Sequence, residues 1–208
     1  MLSIVLATRN SGKLREIRQV LSALPVEVLG LDGFPLVPEP QETGTTFAEN
    51  ARIKAKYYAA ATGQWCLSDD SGLVVDALDG RPGVLSARYG SDRCQADAPR
   101  EQIDRANNEK LLEELSHVPD ENRTARFVCH LALSDGEGFP LETTGAVEGK
   151  IASEPAGRNG FGYDPVFLPR EAEGTMAELT GRQKNAISHR GKAVRKFASL
   201  LKDMLARR

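Results

Sequence analysis

The sequence predicts an α/β fold built on a mixed sheet, and three observations carry that expectation. Short apolar runs of strand length are interspersed with segments whose apolar residues recur at helical spacing. Clusters of Gly, Pro, Asn and Asp punctuate the boundaries between them. The strands and helices do not follow a strict strand–helix–strand repeat, so an all-parallel sheet is not expected.

Taken in order, Ser3–Ala7 reads as a buried strand. The helix that follows puts Leu14, Ile17, Val20, Leu21 and Leu24 on one face and ends before Pro25. Val26–Leu29 is a second strand, and the proline-rich stretch Phe34–Pro40 is a loop. Thr46-Phe47-Ala48-Glu49 has the form of a capping box, opening a helix that runs to Gly63. Trp65–Ser68 and Leu73–Ala77 are short strands flanking an acidic motif, Asp79–Gly90 is a loop, and Arg100–Leu115 is mostly helix. Ala125–Ser134 and Leu141–Lys150 read as long paired strands joined by Asp135-Gly136-Glu137-Gly138. In the first of them Phe127, Cys129, Leu131 and Leu133 alternate with Val128, His130 and Ala132. A short strand follows at Val166–Leu168, and Val194, Phe197, Leu200/Leu201 and Met204/Leu205 mark a final helix. No internal repeat or low-complexity linker divides the chain, so it reads as one domain.

At 208 residues the chain is long enough to bury a real core, as one large domain or two tightly packed lobes. No apolar run approaches the roughly 18–20 residues that a membrane span needs. Met1–Ala7 lacks a basic flank and is too short for a secretory segment, which leaves it as a strand. Cys66, Cys94 and Cys129 are odd in number and lack metal-type spacing; they read as reduced thiols and favour the cytoplasm. A net charge of −2 argues against a dedicated nucleic-acid binder, although it leaves room for a local basic pocket around a small polyanion. The basic tail from Lys192 to Arg208 reads as a solvated helix face.

Five segments carry chemistry. Thr8-Arg9-Asn10-Ser11-Gly12-Lys13 lies between a strand and a helix, where backbone N–H groups can meet a phosphate; it is not a Walker A loop, and a plain helix-starting turn is the alternative. In Asp69-Asp70-Ser71-Gly72 adjacent carboxylates are costly unless a cation compensates them. Strand geometry would send the pair to opposite faces, one to a metal and one elsewhere; the alternative is an acidic β-turn in which Gly72 supplies an unusual φ. Gln41-Glu42-Thr43-Gly44 precedes a helix on which Asn50 and Lys54 share a face. The loop from Gly157 to Pro165 holds Phe161, Gly162, Tyr163 and Asp164, so it is either a Gly-rich turn with aromatic anchors or a surface on which a purine stacks. Ser188-His189-Arg190 puts cations at a helix N-terminus, an unfavourable place unless an oxygen-rich ligand arrives.

Together, and in order, these segments resemble the inosine triphosphate pyrophosphatase family, also called dITP/XTP pyrophosphatases. The resemblance spans nearly the whole chain. It rests on Leu6–Lys13, Glu42–Asn50, Asp69–Leu73, Pro82-Gly83-Val84-Leu85-Ser86-Ala87-Arg88-Tyr89, Gly160–Pro165 and Ser188–Gly191. It implies an elongated, two-lobed, mixed-sheet fold with an active-site cleft between the lobes. It also implies hydrolysis of ITP, dITP and XTP to the monophosphate and pyrophosphate, a Mg²⁺ cofactor, and a homodimer.

Carried over residue by residue, the resemblance has Thr8, Asn10 and Lys13 hold the triphosphate, with Lys54 supporting the phosphate or acidic site. Glu42 and Asp70 hold Mg²⁺, Asp70 is also the general base, Asp69 assists it, and Ser71 contacts substrate. Phe161 stacks on the purine within the loop that holds Gly162 and Tyr163, Asp164 and Lys184 help to shape the pocket, and His189 and Arg190 meet the oxygen-bearing edge of the base. Two positions depart from the family pattern: Gln41 stands where some relatives have a second acid, and Arg9 where small residues are common. Two competing readings are a pyrimidine nucleotide pyrophosphatase of similar fold, resembling the septum inhibitors, and a non-catalytic nucleotide-binding module. The His189 and Phe161 segments weigh against the first, and the retained acids Glu42, Asp69 and Asp70 against the second.

Overall fold

The computed structural model describes residues 2–34 and 36–207. Met1, Pro35 and Arg208, which fall in the segments read above as strand, loop and basic tail, lie outside the described residues, as do the side chains of Ser11 and Glu16.

The chain opens with β1 (Leu2–Leu6), in which Ile4, Val5 and Leu6 are fully buried. The helix α1 (Ser11–Leu21) starts at Asn10, whose Oδ1 accepts from the amides of Gly12 (2.9 Å) and Lys13 (3.1 Å) and so satisfies two of the unpaired donors of the first turn. Strand β2 (Val26–Gly30) pairs parallel with β1, Leu2 opposite Val26. The capping box expected at Thr46 and Glu49 is present at the start of α2 (Phe47–Thr62). That helix ends on Gly63, whose φ of +65° is the left-handed geometry of a C-terminal cap.

The strand β3 (Trp65–Val75) joins the two short strands expected on either side of the acidic motif and settles that motif as strand rather than turn. It is one continuous strand through Asp69 and Asp70, with Gly72 inside it rather than at a turn. The carboxylates have half-buried cationic partners, described below, so the chain does not need to bend them into solvent.

After β3 come α3 (Arg100–Glu114), β4 (Thr124–Ser134), β5 (Leu141–Ile151), the short β6 (Phe167–Pro169), α4 (Gly181–Ile187) and α5 (His189–Ala206). The loop expected over Asp79–Gly90 contains a 3₁₀ turn at Gly83–Arg88. Helix α4 was not expected, yet it carries its own capping box, Thr180 with Gln183. In α5 Leu201 is buried, whereas Leu200 faces outward.

The six strands form one sheet in the order β2-β1-β3-β4-β5-β6. It is mixed: β1 is parallel to β2 and β3, while β5 and β6 are antiparallel. By packing the chain forms two compact units, and β3, β4 and β5 each contribute residues to both.

The first unit comprises the chain up to Asp70, Cys129–Gly145, and the residues from Arg190 onward. Its main core joins Ile4, Leu6, Ile17, Leu21, Leu67, Leu131, Leu133, Val194, Phe197 and Leu201, each such burial stabilising by roughly 1.5–3 kcal/mol. Ala132, on the other face of β4, packs on Ala51 and Ala55 of α2, so the alternation of β4 ends in residues buried on both faces. Burial pushes the thiols of Cys66 and Cys129 up to about 12, which keeps them protonated.

The second unit comprises Ser71–Val128 and Ala146–His189. Its core gathers Leu73, Val75, Leu111, Leu115, Phe127, Val147, Tyr163, Val166, Phe167 and Met176, with the Phe127 and Phe167 rings 4.7 Å apart. Helix α3 buries apolar residues such as Ala106 and Leu111, but also three polar ones: Asp104, Asn107 and Asn108. Among the described residues no helix is long and apolar enough to cross a membrane.

Candidate active site

Asp69 and Asp70 are successive residues of a strand, so their side chains project to opposite faces. The structure gives them different partners. Asp69 Oδ2 lies 2.8 Å from Lys13 Nζ and 3.4 Å from Arg190 Nε. Asp70 Oδ1 lies 3.1 Å from Lys54 Nζ, and the same ammonium is 3.0 Å from Glu42 Oε1. The second oxygen of Asp70, Oδ2, is buried and has no hydrogen-bond partner among the described residues.

The two environments push the carboxyls apart. Burial raises Asp69, but Lys13, Arg190 and Lys54 outweigh it and hold Asp69 well below the usual carboxylate range. Burial also raises Asp70; Lys54 opposes it, the charges of Glu42 and Asp69 reinforce it, and Asp70 ends above its ordinary value. Lys54 would be lowered by burial, yet Asp70, Asp69 and Glu42 keep it raised and charged. Asp69 is thus a fixed anion and Asp70 the one able to take up a proton. Neighbouring acids pushed apart in this way are a pattern of acid–base sites.

Secondary structure delivers these side chains. The amide of Ala7 donates to Leu67 O at 2.8 Å, which fixes the end of β1 beside β3, and the turn that follows feeds Lys13 into the first turn of α1. Thr8 Oγ1 accepts from the amide of Asn10 at 3.2 Å. Arg9 reaches the proline-rich loop, donating to Val37 O at 3.0 Å and pairing with Glu39 at 3.4 Å. On α2, Asn50 Oδ1 accepts from the amide of Gly44 at 2.8 Å, which ties the Glu42 segment to the helix that carries Lys54 one turn later. A side chain at Gly44 would meet that same Oδ1 at 2.7 Å, which explains the glycine. Glu42 is half-buried at Lys54, whereas the adjacent Gln41 is exposed. A polar cavity of about 220 Å³ is lined by Thr8, Arg9, Asn10, Lys13, Glu42, Lys54 and Asp69.

The second unit holds the other group of residues singled out in the sequence. Phe161 stands between Gly160 and Gly162, whose φ values of +82° and +63° are left-handed. Its ring is 43% exposed, and Lys184 Nζ lies 4.5 Å from the ring centroid. Asp164 is buried; its Oδ2 accepts from the amide of Phe161 at 2.8 Å and pairs with Lys184. Tyr163 is a core residue whose hydroxyl donates to Ser86 O at 2.9 Å, and burial pushes its phenol up. The His189 ring stacks on Phe127, with centroids 4.9 Å apart and planes 13° from parallel.

Of the residues expected from the sequence, the first unit therefore pairs Lys13 with Asp69 and Lys54 with Glu42 and Asp70, and Thr8 and Asn10 line one cavity with Lys13, Glu42, Lys54 and Asp69. Arg190, expected with His189 at the edge of the base, has its Nε 3.4 Å from Asp69 Oδ2. The second unit brings Phe161, Asp164 and Lys184 together, places Tyr163 in its core, and leaves Ser71 half-buried at the start of the segment. Sequence reading missed the Arg190–Asp69 pair. It also missed the polar face of α3, whose signal was the three- and four-residue spacing of Asp104, Asn107 and Asn108.

A mixed α/β fold with buried carboxylates held by cations beside a strand-to-helix turn defines the class: an α/β protein equipped with the residues of a phosphate-handling site. The family model for the Ham1 family matches residues 4–200. A dITP/XTP pyrophosphatase of Nitratidesulfovibrio vulgaris is 52% identical over 95% of both chains, and one of Geobacter sulfurreducens is 51% identical over 99% of this chain and 97% of its own. Among solved structures, a HAM1 protein from Coxiella burnetii superposes with a TM-score of 0.88 at 44% identity, covering 98% of this chain and 100% of that one. The Staphylococcus aureus Ham1 protein gives 0.85 at 37%, covering 97% and 99%. The chain belongs to the Ham1 family.

Proposed function

We propose that this protein hydrolyses the deaminated purine nucleotides dITP, ITP and XTP to the monophosphate and pyrophosphate, which removes them from the nucleotide pool. The observation that carries the reading is the division of labour in β3: Asp69 locked by Lys13 and Arg190, and Asp70 raised, with a buried oxygen that has no partner among the described residues.

The donor set fits Mg²⁺. That ion takes oxygen ligands and is commonly held by one or two carboxylates together with waters and substrate phosphates. Glu42 and Asp70 converge on one point, marked by Lys54 Nζ, and Asp70 Oδ2 is available as a ligand oxygen. These two carboxylates would hold the ion. When bound, Mg²⁺ neutralises phosphate oxygens and eases deprotonation of water.

The remaining roles belong to the chain. Asp70 accepts a proton from the water that attacks the α-phosphorus, as the strand carboxylate that is not locked by both Lys13 and Arg190. Lys13 offsets charge on the departing pyrophosphate, with Thr8 and the turn around Asn10 holding the phosphates. Lys54 keeps Glu42 and Asp70 together. Phe161 stacks on the purine, Lys184 and Asp164 fixing its surroundings. His189, held flat on Phe127, donates to the 6-oxygen that hypoxanthine and xanthine carry and that adenine replaces with an amino group. Arg190 holds Asp69 in place for the acidic pair, and that contact comes before any with the base.

The same reading has the enzyme act as a homodimer in the cytoplasm, the first of which light scattering tests directly. The decisive assay is pyrophosphate release from ITP, XTP, dITP, GTP, ATP and dUTP, each with and without Mg²⁺. Mg²⁺-dependent cleavage of ITP, dITP and XTP ahead of the others is expected. Cleavage of dUTP with no turnover of ITP or XTP would overturn the proposal.

A further inference from the structure

Helix α3 has an unusual inner face. A helix packed on a core normally buries a stripe of apolar side chains, yet α3 buries Asp104, Asn107 and Asn108, at a three- and four-residue spacing that puts them on one side. Burying polar groups is unfavourable unless they are hydrogen-bonded; Asp104 Oδ1 pairs with Arg100 Nε of the same helix at 2.9 Å, and the other partners of these three are loop backbone. Asn107 Oδ1 accepts from the amide of Gly90 at 2.6 Å and its Nδ2 donates to Ser86 O at 3.3 Å. Asp104 Oδ2 accepts from the amide of Gly162 at 2.9 Å, and Asn108 Nδ2 donates to the carbonyl of the same Gly162 at 3.0 Å. Both backbone groups of one left-handed glycine are therefore held by residues one helical turn apart.

Gly162 directly follows Phe161, and the amide of Phe161 is itself held by Asp164. The backbone on both sides of the ring is tied while the ring stays 43% exposed. A loop that is already ordered does not lose conformational freedom when a ligand arrives, and that saving appears as affinity. We infer that Asp104 and Asn108 are positioning residues: they fix the backbone of Gly162 and so set the Phe161 ring as a rigid platform for the purine. The inference rests on the proposed nucleotide reading and assigns it two residues outside the motifs that carry the family resemblance.

The test is a set of steady-state measurements with ITP on Asp104→Ala, Asn108→Ala, Asp104→Asn, which keeps an acceptor oxygen, and Asn108→Leu, which keeps volume and loses the donor. Loss of one such hydrogen bond is expected to raise KM roughly tenfold for each alanine variant and for Asn108→Leu. The expected kcat stays within about twofold and the inhibition constant of inorganic tripolyphosphate does not change, because neither depends on holding the base. Asp104→Asn should return to within about threefold of wild type. In a Phe161→Ala background, Asp104→Ala should add less than about twofold, since the platform it holds is gone.

An unchanged KM in the alanine variants overturns the inference. So does an equal rise in KM and in the tripolyphosphate constant, or a full tenfold effect in the Phe161→Ala background. If the alanine variants do not fold, Asn108→Leu decides between the same outcomes. Failure of the underlying reading looks different: Phe161→Ala alone would then leave KM for ITP unaltered.

Discussion

Replacing Asp70 with Asn separates catalysis from stability at one position. The substitution keeps the shape of the side chain and removes its charge. Lys54 keeps Glu42 as a partner at 3.0 Å, so its ammonium is not left buried without a counter-ion. Burial already disfavours the charged form of Asp70, and neutralising it relieves that cost as it loses the 3.1 Å ion pair. The two effects oppose each other, and the net change in stability should stay within about 1 kcal/mol. Turnover should respond differently. A positioned general base contributes about 10²–10⁴ in rate. At about 1.36 kcal/mol per decade that is a loss of roughly 2.7–5.4 kcal/mol of transition-state stabilisation. Single-turnover pyrophosphate release from ITP in saturating Mg²⁺ measures the rate, and urea unfolding of the same preparation measures the stability. Turnover within about fivefold of wild type would remove Asp70 from the role of base. A fall in stability large enough to account for the lost activity would make it a structural residue.

Asp69→Asn should show the opposite profile. It leaves Lys13 and the buried Arg190 facing a neutral group, and urea unfolding at pH 7 should show a loss of about 3–5 kcal/mol. The folded carboxyl lies below its unfolded value of about 3.9, so its contribution is whole above roughly pH 4 and disappears as pH falls through the folded value. The gap between wild type and variant should accordingly be flat from neutral pH down to about 5 and narrow below about 4; a gap that widens on acidification would contradict the assignment. Gly160→Ala would place a Cβ 1.9 Å from Asp164 Oδ2 at a φ of +82°, so thermal melts should register roughly 1–3 kcal/mol of destabilisation. The variant should also raise KM for ITP, because Asp164 would have to release the amide of Phe161 or the Lys184 ammonium.

Local chemistry accounts for which parts of this structure were readable from sequence. The Thr46–Glu49 box, the left-handed Gly63 and the alternation of β4 each follow from interactions within a few residues, and all three are where the pattern put them. The course of β3 was readable only as one of two alternatives, a strand or an acidic turn. Two adjacent aspartates disfavour a strand, and what overrides that preference arrives from elsewhere in the chain: Lys54, 16 residues away, and Arg190, 121 residues away. The same limit hid the Arg190–Asp69 pair and the inner face of α3, whose polar residues have meaning only opposite the loops they hold. Helix α4 is a different case: Thr180 and Gln183 form a local signal that was present and overlooked.

The charges around β3 bear on why metal and substrate would act together. Three carboxylates, Glu42, Asp69 and Asp70, face three cations, Lys13, Lys54 and Arg190, and at neutral pH they cancel. A polyanionic triphosphate entering this balance without a counter-ion meets Glu42 and Asp70, whose only cation in the ion pairs described is shared between them. The repulsion is strengthened by burial, since screening by solvent is weaker there. A divalent cation alone meets the opposite obstacle in Lys54, which already occupies the point where the two carboxylates converge. Each partner would relieve the other: phosphate oxygens would offset the extra positive charge of a bound ion, and the ion would offset the negative charge brought beside Asp70. Binding of Mg²⁺ and of nucleotide should therefore be positively coupled, and by linkage each should tighten the other by the same factor.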